Sequence, residues 1–214
     1  SDPIPLYLLN DFIMFMWKEE TSNSRLLASI IMLHILMCAR PSEVISINLA
    51  NMGIEDVTLN VNGAPHNLKV LTVIHKEYKT ASGLERKKFS FFDCKKDFQG
   101  TKLLISIISH FRLIRAGRKK GAKAFIQLPG VKKISYDVYR GLFNKSMNAF
   151  INTRDIAERS VLRKLKLTLH SLRKVGVRLW HSLNFLDAEI KMYTGHSMKS
   201  QMVNDIYNKP SHLD

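Results

Sequence analysis

LTLHSLRKVGVRLW, residues 167–180, reads in two ways at once. Leu172, Val175, Gly176, Leu179 and Leu183 recur at helical spacing, so the segment predicts a helix over about 168–184 with one buried stripe. His170 and Arg173 stand on the flank of that stripe, about 60° apart at 100° per residue, and both can point into one cleft at the edge of a core. An isolated H-x-x-R is an ordinary surface pair on an amphipathic helix. The segment that follows, YTGHSMKSQMVNDIYNKP at 193–210, gives the pair more meaning. Asp187 is placed to cap a helix over 187–194, and Gly195 suits a left-handed helix end, which fixes His196 in a tight interhelical turn. Ser197 can cap a further helix over 198–207 that carries Tyr207 and ends at Asn208 and Pro210. His196 and Tyr207 stand about three turns apart, roughly 16 Å along a continuous helix, so they converge only where that stretch bends.

Upstream, RLLASIIMLHILMC at 25–38 is apolar on nearly every side and predicts a buried helix over about 24–38. It stops at ARPSEV, residues 39–44. Proline is tolerated in the first turn of a helix and not in its interior, so Arg40 marks the corner between two helices, with Glu43 in the new first turn. Another helix is expected over 6–19. IEDVTLNV (54–61) and HNLKVLTVIH (66–75) are rich in β-branched residues and flank Asn62-Gly63, a hairpin signal; RKKFSFF (86–92) adds a third strand after the turn-like TASG. Helical patterns return at about 101–116, 135–150 and 155–163, with the basic, glycine-containing RAGRKKGAKAFIQLPG after the first of them. The expected fold is α+β and mainly helical, with a small three-stranded antiparallel sheet, in one domain over 1–214.

Charge narrows the partners. Lys and Arg number 33 against 18 acidic residues, a formal net charge of +15, which favours a polyanion because neutralised phosphates release counterions. Cys38 sits in an apolar run and Cys94 stands alone, which is not a disulfide framework; a reducing compartment is expected, cytoplasm, nucleoid or nucleus, and not secretion. The most apolar stretch, Leu26–Ala39, contains His34 and is too short for a bilayer span. The eight histidines lack metal-ligand spacing, no glycine-rich phosphate loop precedes a helix, and no acidic cluster suits a two-metal nuclease. No metal and no cofactor is therefore expected. The start at Ser1-Asp2-Pro3 reads as a fragment of something longer.

Taken in order, ARPSEV, a lysine beside a β-turn, LTLHSLRK, YTGHS and IYNKPS resemble the catalytic domain of the tyrosine recombinase (phage integrase) family. The resemblance covers the chain from Ser24 to Pro210; any one motif is weak and the ordered set is strong. It implies that family's mainly helical catalytic fold, metal-independent DNA cleavage and rejoining, and a dimer or tetramer on double-stranded DNA with a specific target site. It assigns Arg40 and Arg173 as the arginine pair, His170 and His196 as the histidines, Lys76 as the hairpin lysine and Tyr207 as the nucleophile. Two departures stand out: Cys38 replaces the glycine common two residues before the first arginine, and Tyr207 follows His196 at a longer spacing than usual. The family usually carries a core-binding domain on the N-terminal side, and the chain is expected to be a fragment without it.

Those residue types suit the reaction that the resemblance implies. Attack on a phosphodiester builds charge on the non-bridging oxygens, and arginine, permanently charged and able to bond two oxygens at once, stabilises it. Two histidines add donors, and His170 is a candidate acceptor for the proton of Tyr207, whose ordinary pKa near 10 leaves it protonated at neutral pH. An ammonium group can protonate the leaving 5′ oxygen; Lys76 is the first choice and Lys79 the alternative. Glu43 either fixes an arginine rotamer or serves the helix dipole. Phosphate contacts are expected from Lys79, Arg86, Lys87, Lys88, Arg118, Lys119, Lys120, Lys132, Lys133, Lys174 and Arg178. The enzyme class that the resemblance implies is a site-specific recombinase or integrase forming a 3′-phosphotyrosyl intermediate. A telomere resolvase with the same chemistry and a catalytically inactive DNA-binding relative are the alternatives, and an RNA-binding protein is a more distant one.

Overall fold

The computed structural model describes residues 1–19, 22–47, 51–75, 87–92 and 134–194. In chain order its elements are α1 (Leu6–Lys18), α2 (Ser22–Leu36), α3 (Pro41–Ile45), β1 (Met52–Val61), β2 (Ala64–His75), β3 (Lys87–Phe92), α4 (Tyr136–Asn152), α5 (Ile156–Lys164), α6 (Leu169–Ser182) and α7 (Asp187–Thr194). This is the mainly helical α+β arrangement with three antiparallel strands that the sequence predicts. The helices expected over 101–116 and 198–207 lie outside the described residues. No helix among the described residues is long and apolar enough to cross a membrane.

Among the described elements, α2 is packed against α1, α3 and α6. Leu26, Leu27, Ala28, Ile30, Ile31, Leu33 and Ile35 are all buried, as its apolar surface on every side requires. α1 covers one flank with Leu8, Leu9, Phe12, Ile13 and Met16, one helical stripe. Phe12 meets Phe143 edge-on at 6.1 Å and Phe150 at 5.3 Å, which ties α1 to α4. α4 starts at Ser135, whose Oγ accepts from the Val138 N–H, and turns Tyr139, Phe143, Met147 and Phe150 inward at helical spacing. α6 packs on another flank of α2 through Leu169, Leu172, Val175 and Gly176.

The sheet has the order β1-β2-β3. β1 and β2 pair from Met52↔Val73 to Val61↔Ala64, and the two-residue tip, Asn62 with φ 50° and Gly63 with φ 81°, has the left-handed backbone of a hairpin turn. The inner end is buried at Val70, Leu71, Thr72 and Val73, whereas residues 58–60 and 62–67 are exposed.

Two local expectations need correction. Leu183 is not part of the buried stripe: α6 ends at Ser182, and Leu183, at the helix C-cap, is 61% exposed. Asp187 is not the cap of α7 either. It lies inside the first turn with Oδ1 2.8 Å from His181 Nε2, and the Leu186 N–H instead donates to Glu189 Oε2 at 2.7 Å. The longer Glu189 reaches back over the helix start, which frees the shorter Asp187 to bridge to α6.

Candidate active site

The corner between α2 and α3 is built from its own backbone. Past the end of α2 the chain turns through Cys38, whose φ is 45°; the Cys38 N–H donates to the Ile35 carbonyl at 3.0 Å and the Ala39 N–H to the His34 carbonyl at 3.3 Å. This is a Schellman-type helix end, which needs one left-handed residue. Arg40 then returns to extended backbone (φ −76°, ψ 152°), and Pro41 starts α3. The Arg40 N–H donates to Glu43 Oε2 at 2.5 Å, so the carboxylate caps the very helix that carries it.

The same carboxylate organises two guanidinium groups. Arg40 Nη1 donates to Glu43 Oε1 at 3.1 Å, and Arg173 Nη1 lies 3.8 Å from Glu43 Oε2. Glu43 thus accepts both from the backbone at the helix start and from the Arg40 guanidinium. The side chains of Glu43 and Arg173 are each 9% exposed, and that of Arg40 is 24% exposed, so Arg40 presents the more open cation. Arg173 is further fixed by two carbonyls: Nη1 donates to Cys38 O at 2.8 Å and Nη2 to Thr194 O at 2.7 Å. One buried cation thus joins the α2–α3 corner, α6 and the last residue of α7.

α6 begins at Thr168, whose N–H donates to Ser171 Oγ at 2.9 Å; this starts the helix so that His170 falls in its first turn and Arg173 one turn on. His170 is open to solvent on one side. Its pKa is lowered, first by the part of the ring withdrawn from water, then by the charges of Arg173 and Arg40. A histidine held neutral in this way can accept a proton at physiological pH.

Behind the corner, His34 is fully buried with Nδ1 3.0 Å from the Tyr139 hydroxyl. Its pKa falls to about 3, chiefly through burial and further through Arg173 and His170, against an opposing hydrogen bond at the Ala39 backbone. Burial likewise pushes the Cys38 thiol up to about 12 and raises the Tyr139 hydroxyl above its ordinary range. Both the imidazole and the thiol are therefore neutral packing groups.

Of the residues that the sequence singles out, Arg40, Glu43, His170 and Arg173 come together. Lys174, half-buried, donates its ammonium to the Ser1 carbonyl, and Arg178 is partly exposed farther along α6. Lys87 and Lys88 have their backbones in β3, opposite His75 and Ile74. Lys76, Lys79, Arg86, Arg118, Lys119, Lys120, Lys132, Lys133, His196 and Tyr207 lie outside the described residues, as do Gly195 and Ser197. Sequence reasoning did not find the Cys38 and Thr194 carbonyls that hold Arg173. Cys38 itself carried a signal, since it stands where glycine is common in the family that the chain resembles.

This arrangement is the tyrosine-recombinase catalytic-domain fold, and solved structures with that fold superpose over nearly the whole chain. The XerH site-specific recombinase bound to difH in a pre-cleavage complex matches with a TM-score of 0.63 at 15% identity, over 97% of this chain and 50% of that one. The Tn1549 transposon integrase in complex with circular intermediate DNA matches with a TM-score of 0.60 at 13% identity, over 98% and 62%. A lambda integrase dimer bound to a COC′ core site gives 0.59 at 12% identity, over 98% and 49%. The chain spans about half the length of the first and third of these recombinases. No family model and no curated protein matches the chain.

Proposed function

We propose that the chain is the catalytic domain of a DNA breaking-and-rejoining enzyme, a site-specific recombinase or integrase that uses Tyr207 as nucleophile. The observation that carries this reading is the Arg40–Glu43–Arg173 corner with neutral His170 beside it, on a fold shared with DNA-bound recombinases. Two oriented guanidinium groups stabilise the charge that develops on the non-bridging oxygens of a phosphodiester. The Tyr207 hydroxyl attacks phosphorus and passes its proton to His170. The phosphorus–5′ oxygen bond breaks as the phosphotyrosyl bond forms, and the 5′ oxygen takes a proton from Lys76, with Lys79 as the alternative acid. Rejoining is the same sequence in reverse, with the DNA 5′ hydroxyl as nucleophile. His196 supplies a further donor to the phosphate, and the basic residues named above hold the flanking backbone of a target duplex on which the protein acts as a dimer or tetramer.

The test is a duplex with a nick close to the scissile position, from which the cleaved end diffuses away. Wild-type protein is expected to form a DNA adduct that survives SDS, and Tyr207→Phe to bind the duplex without forming it. A Phe variant as active as wild type refutes the assignment of Tyr207. When a library of such nicked duplexes of varied sequence is offered, wild-type protein that binds duplex DNA and forms no adduct with any of them is a catalytically inactive relative.

A further inference from the structure

The corner that holds Arg173 depends on two residues with no role in the chemistry. Cys38 is one of three non-glycine residues with left-handed backbone among those described, and its φ of 45° turns the Cys38 carbonyl toward α6, where it accepts from Arg173 Nη1 at 2.8 Å. An extended residue at this position would aim that carbonyl elsewhere. On the facing helix stands Gly176, close to one turn beyond Arg173. A Cβ there would lie 2.2 Å from the Ile35 carbonyl oxygen and 2.9 Å from Cys38 Sγ. The first of those neighbours is helix backbone, which cannot swing aside as a side chain does. α6 therefore reaches its present depth on α2 only because residue 176 has no side chain.

We propose that Cys38 and Gly176 are positioning residues: the left-handed turn at one and the missing Cβ at the other jointly set the depth of α6 on α2, and so hold the Arg173 guanidinium between the Cys38 and Thr194 carbonyls and beside Glu43. The surface of contact is small and specific. Cys38 Sγ donates to the Ile35 carbonyl at 3.5 Å, so the thiol and Gly176 share one backbone oxygen as their floor. A side chain added at 176 displaces α6 outward, and Arg173, whose two carbonyl partners sit on different elements, cannot follow both. The same displacement separates Arg173 from the Glu43 carboxylate that orients Arg40. Its consequence for cleavage rests on the function proposed above; its consequence for Arg173 does not.

The experiment compares Gly176→Ala, Cys38→Val and Cys38→Gly with wild type, each first checked for a native circular dichroism spectrum and cooperative unfolding. Solvent exchange of the Arg173 guanidinium protons is read by NMR on protein with labelled arginine, without DNA. Gly176→Ala and Cys38→Val are expected to speed that exchange on the order of 10-fold or more, as a guanidinium that has lost a carbonyl partner does. Cys38→Gly, which adopts the left-handed turn without steric penalty and keeps the carbonyl, is expected to restore slow exchange. In single-turnover cleavage at saturating DNA, Gly176→Ala should lose roughly 10²-fold in rate with little change in DNA affinity, the signature of misplacement by about an ångström. Should Gly176→Ala not fold, the contrast between Cys38→Val and Cys38→Gly carries the test. Exchange unchanged in the folded variants, or Cys38→Gly as fast as Cys38→Val, overturns the proposal. A wild-type protein that never cleaves overturns the proposed function, while the exchange comparison still decides the positioning.

Discussion

A guanidinium removed from water is tolerated only where its donors find acceptors and its charge finds a counter-charge. Arg173 meets that condition through the Cys38 and Thr194 carbonyls and through Glu43, at the cost of pinning three separate pieces of chain to one cation. His170 on the same helix feels that cation and Arg40, and its pKa is lowered from the ordinary value of 6.5. The sign of the consequence is definite. A lowered pKa means that the imidazole stays neutral to more acid pH, so the acid limb of single-turnover cleavage should be centred below pH 6.5. In His170→Asn that acid limb should vanish along with most of the rate. A wild-type limb centred above 6.5 would show that His170 is not the group that must be neutral.

Between elements, the contact of α2 with α4 through His34 and Tyr139 carries a second pH dependence, this one of stability. As pH falls through 6.5 the unfolded chain takes up a proton on His34 that the folded chain resists until about 3. Stability from this group is therefore complete above the unfolded value and is lost as pH falls between those two limits, on the order of a few kcal/mol in all. Urea unfolding across that range should show a shallower pH dependence in His34→Gln than in wild type; superimposable curves would contradict the buried, neutral assignment. At this scale much was legible in the sequence. The apolar run of α2, the stop at Arg40-Pro41 and the Asn62-Gly63 hairpin are local signals, and each fixed an element within a few residues of its bounds. The partners of Arg173 were not legible, because Cys38 lies 135 residues away in sequence and Thr194 lies 21 away, and both act through backbone carbonyls that no residue type announces. Gly176 showed in the sequence only as a member of a buried stripe, since periodicity reports which face is inward and not how closely two backbones approach. Leu183 and Asp187 were misread for the opposite reason: a local pattern pointed past the end of α6, and to one cap where Glu189 supplied another.

For the whole molecule, a net charge of +15 on 214 residues sets the physics of association before any base is read. If phosphate contacts hold the duplex, log K should fall by about 0.9 for each phosphate neutralised per log unit of salt, so an interface with several such contacts loses roughly 10³-fold or more between 50 and 200 mM salt. A nearly flat salt profile would set aside the charge argument altogether. The fold itself does not decide activity, because identities of 12 to 15% to DNA-bound recombinases establish a shared scaffold and leave the chemistry to the site. In the proposed reaction the corner of Arg40, Glu43 and Arg173 stabilises the developing charge, and Arg40 is its more open cation. The most direct measurement is therefore the single-turnover rate of adduct formation by Arg40→Ala at saturating duplex, with affinity measured alongside. A loss on the order of 10²-fold or more in rate, with affinity changed far less, is the predicted result for a group that stabilises developing charge. An Arg40→Ala protein that cleaves at the wild-type rate would contradict the account.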